Sequence, residues 1–257
     1  MLSRKLVKKL ADKKYRAETG LFLVEGKKNI FELLASDFVV ETVYGTSYFM
    51  NELHTTFDMK RQMGSPFLPE FITVSEDELI RIGTLKTNNA GIAIAVQRQT
   101  PDIDDVVSQS KKEIVLVLDD IRDPGNLGTI IRTADWFGVT HIVTSETTTD
   151  FYNPKTIAAS MGSFTRVRVV SLPLEKFLKS AQTLEIPIIG ALLNGKNLTE
   201  SNLPKHGILV IGSESHGIQE TLHPYITLKI MIPQYGKAES LNVGVATGIL
   251  LATFRNS

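Results

Sequence analysis

Apolar positions in the first hundred residues recur in short blocks that change period. Leu2, Leu6, Val7 and Leu10 fall at helical spacing and predict an amphipathic helix over 2–14. Residues 21–24 read as a short apolar strand, 27–34 as a helix, 39–45 as an alternating strand and 47–53 as a helix. A strand at 71–74 leads into Ser75-Glu76-Asp77-Glu78, a capping-box start for a helix to Ile82. A fourth strand spans 90–97. Strands alternating with helices predict a small α/β domain over 1–97.

Residues 98–111 are polar and contain one proline, which predicts a linker over 98–112. From Glu113 to Ser257 the strands are stronger: 114–119, 141–145, 167–172, 186–192, 208–212 and 228–233, most of them separated by helical stretches. Near-continuous apolar strands between helices predict a parallel sheet covered on both faces.

Composition narrows the possibilities. The chain has 257 residues, no cysteine and no net formal charge. Disulfides, thiolate catalysis and cysteine-based zinc sites are excluded, which suits a reducing cytoplasm. No apolar run approaches the roughly 18–20 residues that span a bilayer, so no membrane association is expected. The charge is unevenly placed. Residues 1–28 hold nine Lys/Arg against three Asp/Glu, net +6, and the remaining 229 hold 19 against 25, net −6. A basic leader on an acidic body is either a solvated helix face or a contact for a polyanion.

A parallel sheet binds ligands at the carboxyl ends of its strands. No G-x-G-x-x-G follows a strand here and no phosphate-binding P-loop occurs. Three other loops carry the polar chemistry. In 117–138, Pro124-Gly125 is a turn, and Asn126 is placed to cap a helix from about Leu127. Arg132 lies well inside that helix, either as a snorkelling surface residue or as a cation aimed at an anion. Trp136 and Phe137 read as core rather than as a base-stacking platform. In 208–218, Gly212 permits close backbone approach, and Glu214 can bind a ligand, move a proton or cap a helix. In 229–254, Ser240-Leu241-Asn242 opens a helix that is apolar nearly all round and so should be buried. Gly244 and Gly248 let another backbone approach it, from the sheet or from a second subunit.

Taken together, N-L-G-T-I-I-R-T-A-D-W-F-G, I-G-S-E-S-H-G-I and I-P-Q-Y-G-K-A-E-S-L-N-V resemble, in content, order and spacing, the three motifs of the SpoU (TrmH-like) family of RNA 2'-O-ribose methyltransferases in the SPOUT superfamily. The resemblance covers about 113–257. It implies an α/β domain with a deep trefoil knot, an exception to ordinary connection rules, and homodimerisation through that domain. It implies S-adenosylmethionine as cofactor, held by backbone around Leu192, Gly212, Ile232 and Leu241, and no metal. Asn126, Arg132, Glu214, Ser240 and Asn242 take the family's polar positions. Phe22-Leu23-Val24-Glu25-Gly26 is the clearest match to the family's N-terminal RNA-recognition domain, so the partner implied is rRNA or tRNA. A guanidinium stays protonated, so Arg132 reads as a clamp on substrate charge rather than a base. His216 and Gly244 depart from common family residues, and His216 reads as an exposed loop histidine or an RNA contact. The intact polar set favours an enzyme over an RNA-binding scaffold with a decayed methyltransferase domain, and the S-L-N motif favours the ribose over a base as acceptor.

Overall fold

The computed structural model describes residues 4–56 and 68–256 and divides into two compact units. The first holds residues up to Gln99 together with Tyr152–Arg166, and the second holds Thr100–Phe151 and Val167–Ser257.

In the first unit, α1 (Arg4–Val7) and a 3-10 turn (Lys8–Ala11) precede α2 (Lys13–Thr19). The single helix expected over 2–14 is therefore broken, and Leu2 lies outside the described residues. The break is at Asp12, whose side chain accepts from Tyr15 N at 3.1 Å and caps α2. Val7 and Leu10 are buried in the unit's core, while Lys8, Lys9, Lys13 and Lys14 are exposed. Arg16 is only 2% exposed and donates from Nη1 to Leu10 O and Ala11 O. It closes the leader onto the domain instead of facing solvent.

β1 (Leu21–Glu25), α3 (Lys27–Leu34), β2 (Val40–Gly45), α4 (Ser47–Thr56), β3 (Glu70–Thr73), α5 (Glu76–Ile82) and β4 (Gly91–Val96) complete this part of the chain. The sheet order is β1-β4-β2-β3, with β4 antiparallel to both neighbours and β2 parallel to β3. Ser75 Oγ accepts from Glu78 N at 3.2 Å, so the expected cap of α5 forms.

The second unit contains α6 (Ile103–Gln109), β5 (Ile114–Leu118), α7 (Pro124–Trp136) and β6 (His141–Thr144). After α8 (Pro154–Ser160), which belongs to the first unit, come β7 (Arg168–Ser171), α9 (Leu174–Thr183), β8 (Ile188–Asn197), β9 (Gly207–Ile211), β10 (Leu228–Met231) and α10 (Val243–Arg255). The sheet order is β10-β8-β9-β5-β6-β7, and every pairing is parallel. Each residue of β5 and β9 is buried, as their unbroken apolar runs require.

Two expectations about domain boundaries need correction. The stretch expected as a linker contains α6, whose Ile103, Val106 and Val107 sit at helical spacing and pack with Phe177, Leu178 and Ala181 of α9. Residues 152–166, expected inside the C-terminal domain, belong to the first unit. The Tyr152 ring lies 4.7 Å from that of Phe22, and Phe164 lies 6.3 Å from Phe22 and 6.1 Å from Phe38. Arg98 stacks 3.9 Å above Phe38, pairs with Asp37 and donates to Thr165 O at 2.8 Å.

Candidate active site

α7 starts earlier than its sequence suggests. Asp123 Oδ1 accepts from Asn126 N at 2.8 Å, so Asp123 is the cap and Pro124 fills the first helical position. Asn126 is thereby moved into the first turn. Its side chain is released from capping and bonds to two other loops.

Glu214 is the point where those loops meet. Its Oε1 accepts from Asn242 Nδ2 at 2.8 Å, from Val243 N at 2.9 Å and from Asn126 Nδ2 at 3.4 Å. Asn242 Nδ2 also donates to Asn126 Oδ1 at 2.8 Å. Asn242 Oδ1 accepts from Gly244 N at 3.0 Å and Val245 N at 3.3 Å, which caps α10. A carboxylate therefore sits at the N-terminus of α10, where the helix dipole favours negative charge. Residues 88 and 28 positions apart from Glu214 are drawn to one oxygen.

The tip carrying Glu214 is held by backbone. Ser213 N donates to Gly217 O at 3.1 Å and Gly217 N to Ser213 O at 2.9 Å. A Cβ on Gly212 would lie 2.0 Å from the carbonyl carbon of Gly217, so only glycine fits. His216 is exposed, with Nδ1 2.8 Å from Ser215 Oγ.

Arg132 is exposed on α7 and makes no hydrogen bond or ion pair among the described residues. Six residues past Asn126, it is roughly 9 Å further along the helix axis. Ser240 is likewise exposed, without a hydrogen-bond partner among the described residues. The structure thus joins Asn126, Glu214 and Asn242, and leaves Arg132 and Ser240 uncommitted.

Leu193, within β8, is 85% exposed and Leu241, just before α10, is 45% exposed; Leu192 and Ile232 are half-buried. No acidic or histidine cluster able to hold a metal occurs among the described residues.

α10 departs from its expected burial. Val245 is 54% and Ile249 37% exposed, although Leu250, Leu251 and Phe254 are buried. The neighbour of Gly244 and Gly248 is α7: Cβ atoms there would lie 2.9 Å from Thr129 Cγ2 and 3.8 Å from Thr133 Cγ2. Trp136, expected in the core, is 84% exposed at the end of α7.

Several polar residues carry no signal in the sequence. Asp119, fully buried at the end of β5, accepts from Gln219 N at 2.8 Å and Gln219 Nε2 at 2.7 Å. Burial pushes its pKa up, against these hydrogen bonds. A cavity of about 170 Å3 opens beside Asp119, Ser145, Glu175 and Gln219, and none of the residues joined at Glu214 lines it. The next residue, Asp120, has φ 57°, a left-handed conformation that costs an L-residue about 1–2 kcal/mol. Its carboxylate accepts from Arg122 Nε at 3.0 Å. The adjacent acids Asp119-Asp120 and the nearby Arg122 are visible in the sequence only as charges; the left-handed turn that pairs them is not.

Three polar loops that follow strands of the parallel sheet are joined through Glu214. Residues 113–252 match the SpoU rRNA Methylase family and residues 4–93 the MRM3-like substrate binding domain. The chain belongs to the SpoU rRNA Methylase family. It is 31% identical over 249 residues to the 23S rRNA (guanosine(2553)-2'-O)-methyltransferase RlmP of Bacillus subtilis (strain 168), covering 96% of this chain and 94% of that one. A putative RNA methyltransferase of the TrmH family from Porphyromonas gingivalis superposes with a TM-score of 0.85 at 33% identity, over the whole of both chains. An AdoMet-bound rRNA methyltransferase from Sinorhizobium meliloti gives 0.83 at 29% identity, over 98% of this chain and 94% of that one.

Proposed function

We propose that this S-adenosylmethionine-dependent RNA 2'-O-ribose methyltransferase acts on a guanosine of ribosomal RNA. The observation that carries the reading is the convergence of Asn126, Asn242 and Val243 N on Glu214 Oε1, which joins the three motif loops. The near full-length similarity to the Bacillus subtilis enzyme supports the choice of RNA. A transfer RNA substrate is the alternative.

Bound S-adenosylmethionine supplies a methyl group already activated by a sulfonium. The chain's task is alignment of a ribose hydroxyl and removal of its proton. Leu192, Gly212, Ile232 and Leu241 line the adenosine, chiefly through backbone groups. Asn126 and Asn242 fix the loops. Arg132, free of protein partners among the described residues, grips substrate charge and stabilises the developing alkoxide. Glu214 and Ser240 are the candidates for the proton path. Glu214 Oε2 has no partner among the described residues, which leaves one carboxylate oxygen available.

The family's trefoil knot fits the close passage of β8 and β10, where a Cβ on Gly195 would lie 2.4 Å from Ile230 backbone. The first unit serves as the RNA-recognition domain. The exposed Trp136, Val245 and Ile249 support a homodimer through α7 and α10. No helix among the described residues is long and apolar enough to cross a membrane, and a ribosomal substrate supports a cytoplasmic location.

The test is transfer of labelled methyl to total RNA from cells lacking the gene, with mass spectrometry of the digested product. A methylated guanosine ribose in rRNA is expected. A methyl on a base would sink the ribose assignment. Calorimetry with S-adenosylmethionine disposes of the scaffold alternative, which requires that no cofactor binds.

A further inference from the structure

The loop between β5 and α7 carries a cation that the joined cluster does not use. Arg122 has a side chain 75% exposed, and its Nε donates to Asp120 Oδ1 at 3.0 Å. Asp120 is itself held from several sides. Its backbone N donates to Ser145 Oγ at 2.9 Å, its carboxylate takes a hydrogen bond from Thr147, and its φ is 57°. The side chain of Asp120 is only 13% exposed.

Stability alone does not account for this arrangement. An exposed ion pair between residues two apart adds little, and the left-handed backbone opposes it. What the geometry does achieve is orientation. One N–H of the guanidinium is committed to Asp120, and the four on the two Nη atoms of this 75% exposed side chain have no partner among the described residues. Arg122 directly precedes the Asp123 cap of α7 and lies four residues before Asn126. His216, two residues past Glu214, is close enough to act electrostatically on the same Asp120 carboxylate. Arg122 therefore borders the Asn126 loop, and its partner Asp120 lies within electrostatic reach of the Glu214 loop.

We infer that Arg122 binds an RNA phosphate beside the nucleotide being methylated, and that Asp120 is a positioning residue that presents it. A planar guanidinium fork matches a phosphate's paired oxygens, which a lysine ammonium cannot do. The inference rests on RNA methyl transfer as proposed above. The other anion in that reaction is the cofactor's carboxylate, and the experiment separates the two.

Full-length Arg122→Gln, Arg122→Lys and Asp120→Asn enzymes are compared with wild type, using labelled S-adenosylmethionine and ribosomal RNA lacking the modification. For Arg122→Gln, KM for RNA should rise about tenfold or more, kcat should stay within about twofold, and the slope of log affinity against log salt should fall by about one. Cofactor affinity should not move, and the melting temperature should fall no further than it does in Asp120→Asn, which loses the same pair. Arg122→Lys should keep the salt slope and recover only part of the affinity. Asp120→Asn keeps the cation and loses its aim, so KM should rise with the salt slope intact. Unchanged KM and salt slope in Arg122→Gln would overturn the inference. So would a loss of cofactor affinity with RNA affinity intact, which would assign the fork to the carboxylate. If wild type methylates no RNA, the functional reading fails and takes this inference with it; if wild type is active and Arg122→Gln is indistinguishable from it, only the role of Arg122 is lost.

Discussion

Glu214 Oε1 and Asn242 Nδ2 meet at 2.8 Å, and the same Asn242 caps the helix whose first amide, Val243 N, also donates to Glu214. One carboxylate oxygen therefore sets both where α10 begins and where the loop before it lies. Glu214→Ala removes all three bonds at this oxygen. Glu214 and Asn242 are exposed while Val243 is buried, so the stability loss should be about 1–2 kcal/mol. Methyl transfer should fall on the order of 10²-fold through misplacement. Glu214→Gln keeps an acceptor at Oε1. Near-normal kcat in that variant would assign Glu214 to the framework, and a loss equal to that of Glu214→Ala would assign it to the proton path.

Arg132 has no partner among the described residues, so Arg132→Ala should change stability by no more than about 0.5 kcal/mol. Its kcat should fall on the order of 10²–10³-fold, as expected for loss of transition-state charge stabilisation. Single-turnover transfer alongside a melting curve makes the comparison. Near-normal transfer in the variant would remove the clamp from the mechanism.

The two neighbouring carboxyls Asp119 and Asp120 respond oppositely to acid. The hydrogen bond from Arg122 holds the Asp120 carboxyl below its ordinary pKa. Its contribution to stability is therefore present above the ordinary carboxylate value and lost as pH falls through the lowered one. Asp119, raised by burial, contributes fully at acid pH, and that contribution is lost as pH rises through its raised value. Asn tolerates the left-handed backbone at 120, so Asp120→Asn isolates the charge. Thermal melts should show the variant less stable than wild type near neutrality, with the gap closing as pH falls below the ordinary carboxylate range. A gap independent of pH would show that the charge plays no part.

Lys8, Lys9, Lys13 and Lys14 are exposed, and Arg16 is buried. Replacing the four lysines with Gln should weaken RNA binding and reduce the salt slope by up to about 0.9 for each phosphate that is no longer neutralised. The fold should survive. Deleting 1–16 is a different experiment, because it takes Val7 and Leu10 out of the core. An unchanged slope in the four-lysine variant would dismiss the leader as an RNA-binding element.

The homodimer reading is tested by Val245→Asp combined with Ile249→Asp, both on the exposed side of α10. Sedimentation should show a dimer for wild type and a monomer for the variant. The chain's single tryptophan, Trp136, reports on the same face, and its emission should shift to the blue as concentration drives association. A monomeric wild type would end the proposal.

What could be read in the sequence follows the physics of each element. Fully apolar runs such as 114–118 and 207–211 have only one comfortable setting, the inside of a parallel sheet, and the strands fall there. The start of α7 is less determinate, because Asp123 and Asn126 are three residues apart and either can cap; Pro124 at the first helical position decides for Asp123. Trp136 shows a different limit. Its apolar bulk says that it prefers burial but not whether the chain's own core has room for it. Ile103, Val106 and Val107 are masked by polar neighbours and a proline. The joining of Asn126, Glu214 and Asn242 depends on bonds between distant loops, which residue spacing alone does not encode; only the ordered resemblance points to them.

The return of residues 152–166 to the first unit bears on inheritance. The polypeptide changes units three times, at 99, 151 and 166. A gene fragment encoding 1–97 alone would specify Phe22 without the Tyr152 and Phe164 rings that cover it. The first unit therefore cannot be exchanged by one crossover. The incoming piece must suit a 15-residue stretch encoded in the middle of its host, so the two units are constrained to diversify together.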